Sequence, residues 1–232
     1  MKFVFRPVLS LATLAALIVL CLLGAWQLRR LEWKRDLIAR VEARVGSAPI
    51  PLESALARAA AGEDLDYQPV RVEGVFDHAR EACVFGTFKG QAGCYVFTPI
   101  EEGDSRIVYV NRGFVPQNAD LSEIADPAGP TTVVGLLRRA ETPAGLQRLF
   151  RAKDQPKDNI YFVRDPRAFA GADGLAGPYY VDSNGAESEG RWPKGGTTRL
   201  EFSNRHLEYA LTWFGLAATL AGVFLAYSRR KA

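Results

Sequence analysis

The chain has 232 residues, 24% of them charged, and a formal net charge of +3, which on averages alone describes one ordinary domain. The small net charge, with no basic stripe interleaved with aromatics, argues against nucleic acid as a partner. Only two histidines, His78 and His206, are present, so a His-rich copper or zinc site within one chain is not expected.

The averages conceal a segregation of apolar residues to the two ends. Pro7 to Leu28 is a run of 22 residues without a charge. A helix rises about 1.5 Å per residue, so roughly 20 residues cross a hydrocarbon core of about 30 Å. A cleaved signal peptide is the competing reading, because Lys2 and Arg6 precede the run. The length of the run, and its end in Gly24-Ala25-Trp26-Gln27-Leu28 without a clear small-x-small site, favour a retained anchor. A buried core helix would show a polar face, and Val8 to Leu23 has only Ser10 and Thr13. Cys21 within this run reads as a packing residue.

Leu28 to Arg44 continues the helix beyond the membrane, with Leu31, Ile38 and Val41 among alternating charges, until Gly46, Pro49 and Pro51 stop it. A short Ala-rich helix is expected over Glu53 to Ala61. From Tyr67 the pattern changes to short β-like runs separated by Gly, Pro and Asp. The candidates are Val70 to Phe76, Ala82 to Phe85, Cys94 to Pro99, Arg106 to Phe114, Thr131 to Leu137, Ile160 to Val163, Tyr179 to Asp182 and Thr197 to Phe202. Runs at this spacing, without long helices between them, predict an antiparallel sheet closing toward a barrel. Cys83 and Cys94 flank a hairpin turn, and a register centred between Phe88 and Lys89 would set them directly opposite each other. A cross-strand disulfide is then geometrically possible, although two unpaired cysteines in a sheet is the favoured reading.

The final segment, Tyr209 to Ser228, is a second uncharged run, of 20 residues. The fold class expected is therefore a membrane protein, with two transmembrane α-helices flanking a mainly-β (α+β) soluble domain. Its boundaries are 1–6 for the N-terminal flank, 7–28 and 207–227 for the spans, 29–206 for the soluble domain with its helical stalk, and 228–232 for a basic tail. Arg229, Arg230 and Lys231 mark the C-terminal flank as cytoplasmic. Arg29, Arg30, Lys34 and Arg35 on the far side of the first span oppose that assignment. The rule is weak for long translocated loops, so both termini inside is favoured.

Counting steps from the opposite bilayer face places His206 level with Leu28 and Arg29, near Trp26 and Gln27. The spacing i, i+3, i+7 puts His206, Tyr209 and Trp213 on one helical face. Such a group would suit an iron porphyrin at the membrane surface, with His206 on the iron, aromatic side chains on the macrocycle, and Arg29, Arg30, Arg199 or Arg205 on propionates. From position alone, an interfacial histidine beside belt aromatics is the simpler reading. Asn111-Arg112-Gly113 ends an apolar strand in a polar turn, where Arg112 could grip a carboxylate within the domain. His78, in Phe76-Asp77-His78, reads as a solvated turn residue. No G-x-S-x-G elbow, Walker loop, H-E-x-x-H or C-x-x-C is present, so a binding or scaffolding module is expected rather than an enzyme.

Several segments together carry a resemblance. They are Gly24-Ala25-Trp26-Gln27-Leu28-Arg29-Arg30-Leu31-Glu32-Trp33-Lys34, Val72-Glu73-Gly74-Val75-Phe76-Asp77-His78, Tyr95-Val96-Phe97-Thr98-Pro99 and Val110-Asn111-Arg112-Gly113-Phe114-Val115-Pro116. Gly135-Leu136-Leu137-Arg138 and Gly195-Gly196-Thr197-Thr198-Arg199-Leu200 follow, and Asn204-Arg205-His206-Leu207-Glu208-Tyr209-Ala210-Leu211-Thr212-Trp213-Phe214-Gly215 closes the series. In order, with an apolar helix at each end, they resemble the surfeit locus protein 1 family of cytochrome c oxidase assembly factors. Ala140 to Ala176 matches poorly, and nothing is carried onto it.

The resemblance implies an assembly factor for the haem-copper oxidase core subunit, with haem a as the molecule held or handed over. It implies His206 as the haem ligand, since the membrane-entry histidine of the last motif is the family's proposed ligand. The core subunit, haem a synthase and the lipid bilayer are the partners implied, and the orientation implied has both termini in the cytoplasm and the domain in the periplasm. The few residues before the first helix leave no room for a transit peptide, so a bacterial inner membrane is expected. A permanent scaffold subunit of an oxidase, without cofactor, is the alternative.

Overall fold

Helices made almost wholly of apolar residues normally hide one face in a core, but here the apolar side chains point outward. The computed structural model describes residues 2–3, 7–102, 106–120, 123–145, 149–150, 152–170, 177–198, 200 and 204–230. They fall into two units, Met1–Glu42 with Leu200–Ala232, and Ala43–Arg199. In the first unit, β1 (Lys2–Phe3) precedes α1 (Pro7–Val45), a single helix that takes in both the apolar run and its charged extension. The last helix is His206–Ser228, followed by a two-residue strand, Arg229–Arg230. Leu11 is 70% exposed and Leu211 65%, which suits lipid and not a soluble core. The chain is a membrane protein with two spans. Between the two helices the contacts are small. Ala210 and Ala217 are buried one heptad apart, and a Cβ on Gly24 would lie 2.7 Å from Cζ of Phe214, so glycine permits the close approach. Lys2 pairs with Arg230 and Phe3 with Arg229 in an antiparallel ribbon, which puts both chain ends on one side of the helix pair.

The second unit is a small barrel. Its strands are β2 (Ile50–Pro51), β3 (Gln68–Phe76), β4 (Ala82–Phe88), β5 (Gln91–Glu102), β6 (Arg106–Pro116), β7 (Pro130–Arg139), β8 (Ile160–Tyr161) and β9 (Tyr179–Ser183). Five of them close a ring in the order β3, β7, β9, β6, β5 and back to β3, the last joint being Val75 opposite Glu101 and Phe76 opposite Ile100. Closure leaves the two-residue strands β2 and β8 at the margins of the sheet, which limits the exposed edge that invites mispairing. The sheet is mixed, where an antiparallel one was expected, and parity supplies a reason. A closed ring of five strands cannot alternate direction throughout, so at least one neighbouring pair must run parallel. That pair is β6 and β9. The short strands β2 and β8 also pair parallel, with β3 and β4.

Two apolar clusters fill the unit. One packs Leu52 and Ala55 of α2 (Leu52–Ala60) onto Val70, Val72, Ile100, Val110, Val133 and Leu137; these helix residues, with Leu56 and Ala59, follow the i, i+3, i+4, i+7 pattern of an amphipathic helix. The other is aromatic. Phe97 meets Tyr180 at 5.2 Å, and Phe169 of α3 (Pro166–Phe169) lies 4.7 Å from Tyr161. The poorly matching stretch from Ala140 to Ala176 thus supplies β8 and α3 to the core. The apolar run of β6 serves both clusters, with Val108 and Val110 in the first and Tyr109 in the second.

Two further expectations are corrected. No strand forms at Thr197, Thr198 or Leu200, and Arg199 and the residues from 201 to 203 lie outside the described residues. The ladder there is made by Lys194, whose backbone exchanges hydrogen bonds with Phe114 at 3.0 Å in each direction. Cys83 and Cys94 are joined in a disulfide, with Cα atoms 5.3 Å apart. The hairpin is centred between Lys89 and Gly90, so Cys94 stands opposite Phe85 and Cys83 opposite Val96. The bridge therefore runs diagonally across the two strands.

Candidate functional site

His206 opens the second membrane helix, and its imidazole reaches the first. Nδ1 lies 2.7 Å from Oε1 of Gln27, whose side chain is buried between the helices. An amide oxygen only accepts, so Nδ1 carries a hydrogen, and in the neutral ring Nε2 presents its lone pair. Nε2 has no hydrogen bond to any described residue. The chain thereby fixes both the tautomer and the tilt of the ring, an arrangement common to metal-bound imidazoles.

The other members of this group are placed unequally. Trp26 and Tyr209 stand on the outer surface, 54% and 53% exposed, and Trp213 is half-buried. The face turned to the first helix carries His206, Ala210 and Ala217. Arg205 is held by Glu208 at 2.8 and 3.0 Å, an ion pair that raises its already high pKa. Arg29 is exposed, and Arg30 stacks on Trp33 at 3.8 Å. Arg199 lies outside the described residues. Gln27 is the residue that reading by position placed nearby without giving it a role; a buried glutamine on an apolar helix was the available signal.

Within the barrel, Asn111, Arg112 and Gly113 form a bulge. Val96 of β5 pairs with Gly113 and Phe97 with Asn111, leaving Arg112 as the extra residue. A bulge breaks the alternation of a strand and re-aims a side chain, which is how two consecutive polar residues become buried, each 1% exposed. Asn111 Nδ2 donates to Asp182 at 2.7 Å, and its Oδ1 accepts from the Gly113 amide at 3.2 Å. Gly113 has φ +125°, and a Cβ there would lie 2.0 Å from the Lys194 carbonyl oxygen. Asp182 also accepts from Thr198 at 2.7 Å and pairs with Arg138 at 3.4 Å.

Arg112 donates through Nη1 to Glu81 Oε1 at 2.9 Å and through Nη2 to the Ala125 carbonyl, with its guanidinium 5.3 Å from the Phe76 ring. Glu81 also accepts from Thr98 at 2.7 Å. His78, expected to be solvated, is half-buried against this group. Its Nδ1 lies 2.8 Å from Glu81 and 2.7 Å from Asp126. Beside it, the Arg80 hydrogen bond holds the Asp77 carboxyl below the usual carboxylate range. Glu81, Asp126 and Asp182 were not singled out from the sequence. His78 and Glu81 stand three apart, a visible spacing, but no local pattern points to Asp126 or Asp182.

Comparison with known proteins agrees with the architecture. Residues 14–218 match the model of the SURF1 family. Surfeit locus protein 1 of Homo sapiens is 35% identical over 216 residues, covering 84% of this chain and 69% of its own length. The Mus musculus protein of that name is 34% identical over 215 residues, covering 84% and 68%. That of Takifugu rubripes is 30% identical over 229 residues, covering 90% and 92%. The match takes in both membrane helices and the barrel between them, and the chain belongs to the SURF1 family.

Proposed function

We propose that this chain is an assembly factor, not an enzyme, for an aa3-type haem-copper cytochrome c oxidase, and that it holds haem a through His206 on the way to the core subunit. The observation that carries the haem reading is the Gln27–His206 hydrogen bond of 2.7 Å. It leaves Nε2 as a preset ligand atom where the chain leaves the membrane. The residues present fit the group. Nε2 could take an axial position, Trp26 and Tyr209 offer exposed aromatic surface, and Trp213 lies deeper in the helix. Of the arginines considered for propionates, Arg29 suits best, since Arg205 is engaged by Glu208 and Arg30 by Trp33. Haem a is cargo in this scheme, and its redox chemistry belongs to the oxidase that receives it.

The barrel is assigned to the periplasm of a bacterial inner membrane and both termini to the cytoplasm. The Cys83–Cys94 bridge supports this assignment, because disulfides persist in oxidising compartments. The terminal ribbon carrying Arg229 and Arg230 supports it as well. The test is purification from cells that make haem a. A haem spectrum that disappears in His206→Ala and weakens in Gln27→Leu is expected. A chain without haem, or a spectrum indifferent to His206→Ala, removes the haem role. The assembly role falls separately if deleting the gene leaves aa3 oxidase activity and haem content unchanged.

A further inference from the structure

The barrel carries a second imidazole whose surroundings ask for a cation. Asp77 caps the 3-10 turn His78–Arg80 by accepting from the Ala79 amide at 3.0 Å. With three residues per turn, side chains at i and i+3 eclipse, which stacks Glu81 on His78. The loop after β6 brings Asp126 to the same point, and one ligand atom from each of the three lies within 4.8 Å of the others. His78 Nε2 is 3.1 Å from the Pro127 carbonyl oxygen, which can only accept, so Nε2 carries a hydrogen. In a neutral ring Nδ1 then turns a lone pair toward Glu81 Oε1 at 2.8 Å and Asp126 Oδ1 at 2.7 Å. Three electron-pair donors at that separation repel unless positive charge lies among them. Arg112 Nη1, 2.9 Å from Oε1 and 3.4 Å from Nδ1, supplies part of it, and a proton or a metal ion supplies the rest.

We propose that His78, Glu81 and Asp126 form a binding site for one divalent transition-metal ion. Ligand bonds of about 2.0–2.2 Å set neighbouring donors about 3.0 Å apart at right angles and about 3.4 Å apart in the tetrahedral shell zinc prefers. The two carboxylate oxygens, 2.8 and 2.7 Å from Nδ1, must therefore move out by roughly a few tenths of an ångström to admit the ion. The Pro127 carbonyl on Nε2–H is the support that metal-bound imidazoles usually have. Thr98 and Arg112 both donate to Oε1 of Glu81 and so hold its carboxylate against the imidazole. Asp126 is 69% exposed, which gives an ion and its water ligands an open side. One nitrogen and two carboxylates suit zinc and its neighbours better than magnesium or calcium. Arg112, with Nη1 3.4 Å from Nδ1, limits the affinity, because it already offsets one of the two carboxylate charges. The site is therefore an exchangeable one.

Tag-free full-length protein in detergent, treated with chelator, is titrated with Zn2+ by calorimetry and with Co2+ by visible spectroscopy. One equivalent per chain is expected in the parent and in His206→Ala, which removes the other histidine. Asp126→Asn, at an exposed position that should leave the fold intact, is expected to weaken binding at least about tenfold. His78→Gln is expected to abolish the cobalt spectrum. Absence of binding in the parent, or equal binding in Asp126→Asn, overturns the metal site and leaves a proton shared between His78 and the carboxylates. Neither result bears on His206 and haem.

Discussion

Arg112 is fully buried because a bulge turned it inward, and it is held by Glu81 and the Ala125 carbonyl. Removing one partner of such a pair leaves the other without compensation. Arg112→Met is expected to cost about 3 kcal/mol of stability, read from thermal or denaturant unfolding of the purified chain. Arg112→Lys keeps the charge without the planar fork and should fall between the two. Next to it, Gly113→Ala forces a Cβ into the Lys194 backbone at a positive φ. Backbone on both sides cannot step aside, so a loss of about 3 kcal/mol is expected in the same measurement. Asn111 and Arg112 stood out in the sequence as a polar break in an apolar strand. Glu81 and Asp182, which they grip, did not, because those contacts span 31 and 71 positions.

The β4–β5 hairpin is stapled by its diagonal disulfide, and the staple acts mainly by restricting the unfolded chain. Replacing Cys83 and Cys94 by serine, or adding reductant, should lower stability by about 2–3 kcal/mol. Alkylation before reduction should label one thiol per chain, Cys21; two or three labelled thiols would contradict the bridge. The turn that carries His78 has its own pH dependence. Asp77 has a depressed pKa in the folded chain because of Arg80. Its contribution to stability is therefore present above the unfolded carboxylate value of about 3.9. It is lost as the pH falls through the lower folded value. Asp77→Asn should flatten that acid limb in a series of melts from neutral pH downward.

At the scale of the whole chain, orientation is the test of the proposed placement. Alkaline phosphatase fused after Arg230 should be inactive, while the same enzyme inserted near Gly145, in a loop of the barrel, should be active. The reverse pattern would overturn the assignment. The barrel core should also fail in alkali. Burial pushes the Tyr180 hydroxyl up, so the folded chain keeps its proton where the unfolded chain loses it. Stability contributed there holds below about pH 10 and declines as the pH rises beyond it.

By itself the sequence determined the two membrane spans, the small amphipathic helix, most of the strands and the family. These depend on length, periodicity and residue type, which a segment carries with it. Tertiary structure decided the mixed sheet, because the parity of a closed five-stranded ring exists only once the ring closes. It decided the disulfide, because register depends on which residues occupy the turn. It also brought Gln27 onto His206, and Asp126 onto His78 and Glu81. Hydrogen bonds and ion pairs form between side chains a few ångströms apart, whatever distance separates them along the chain.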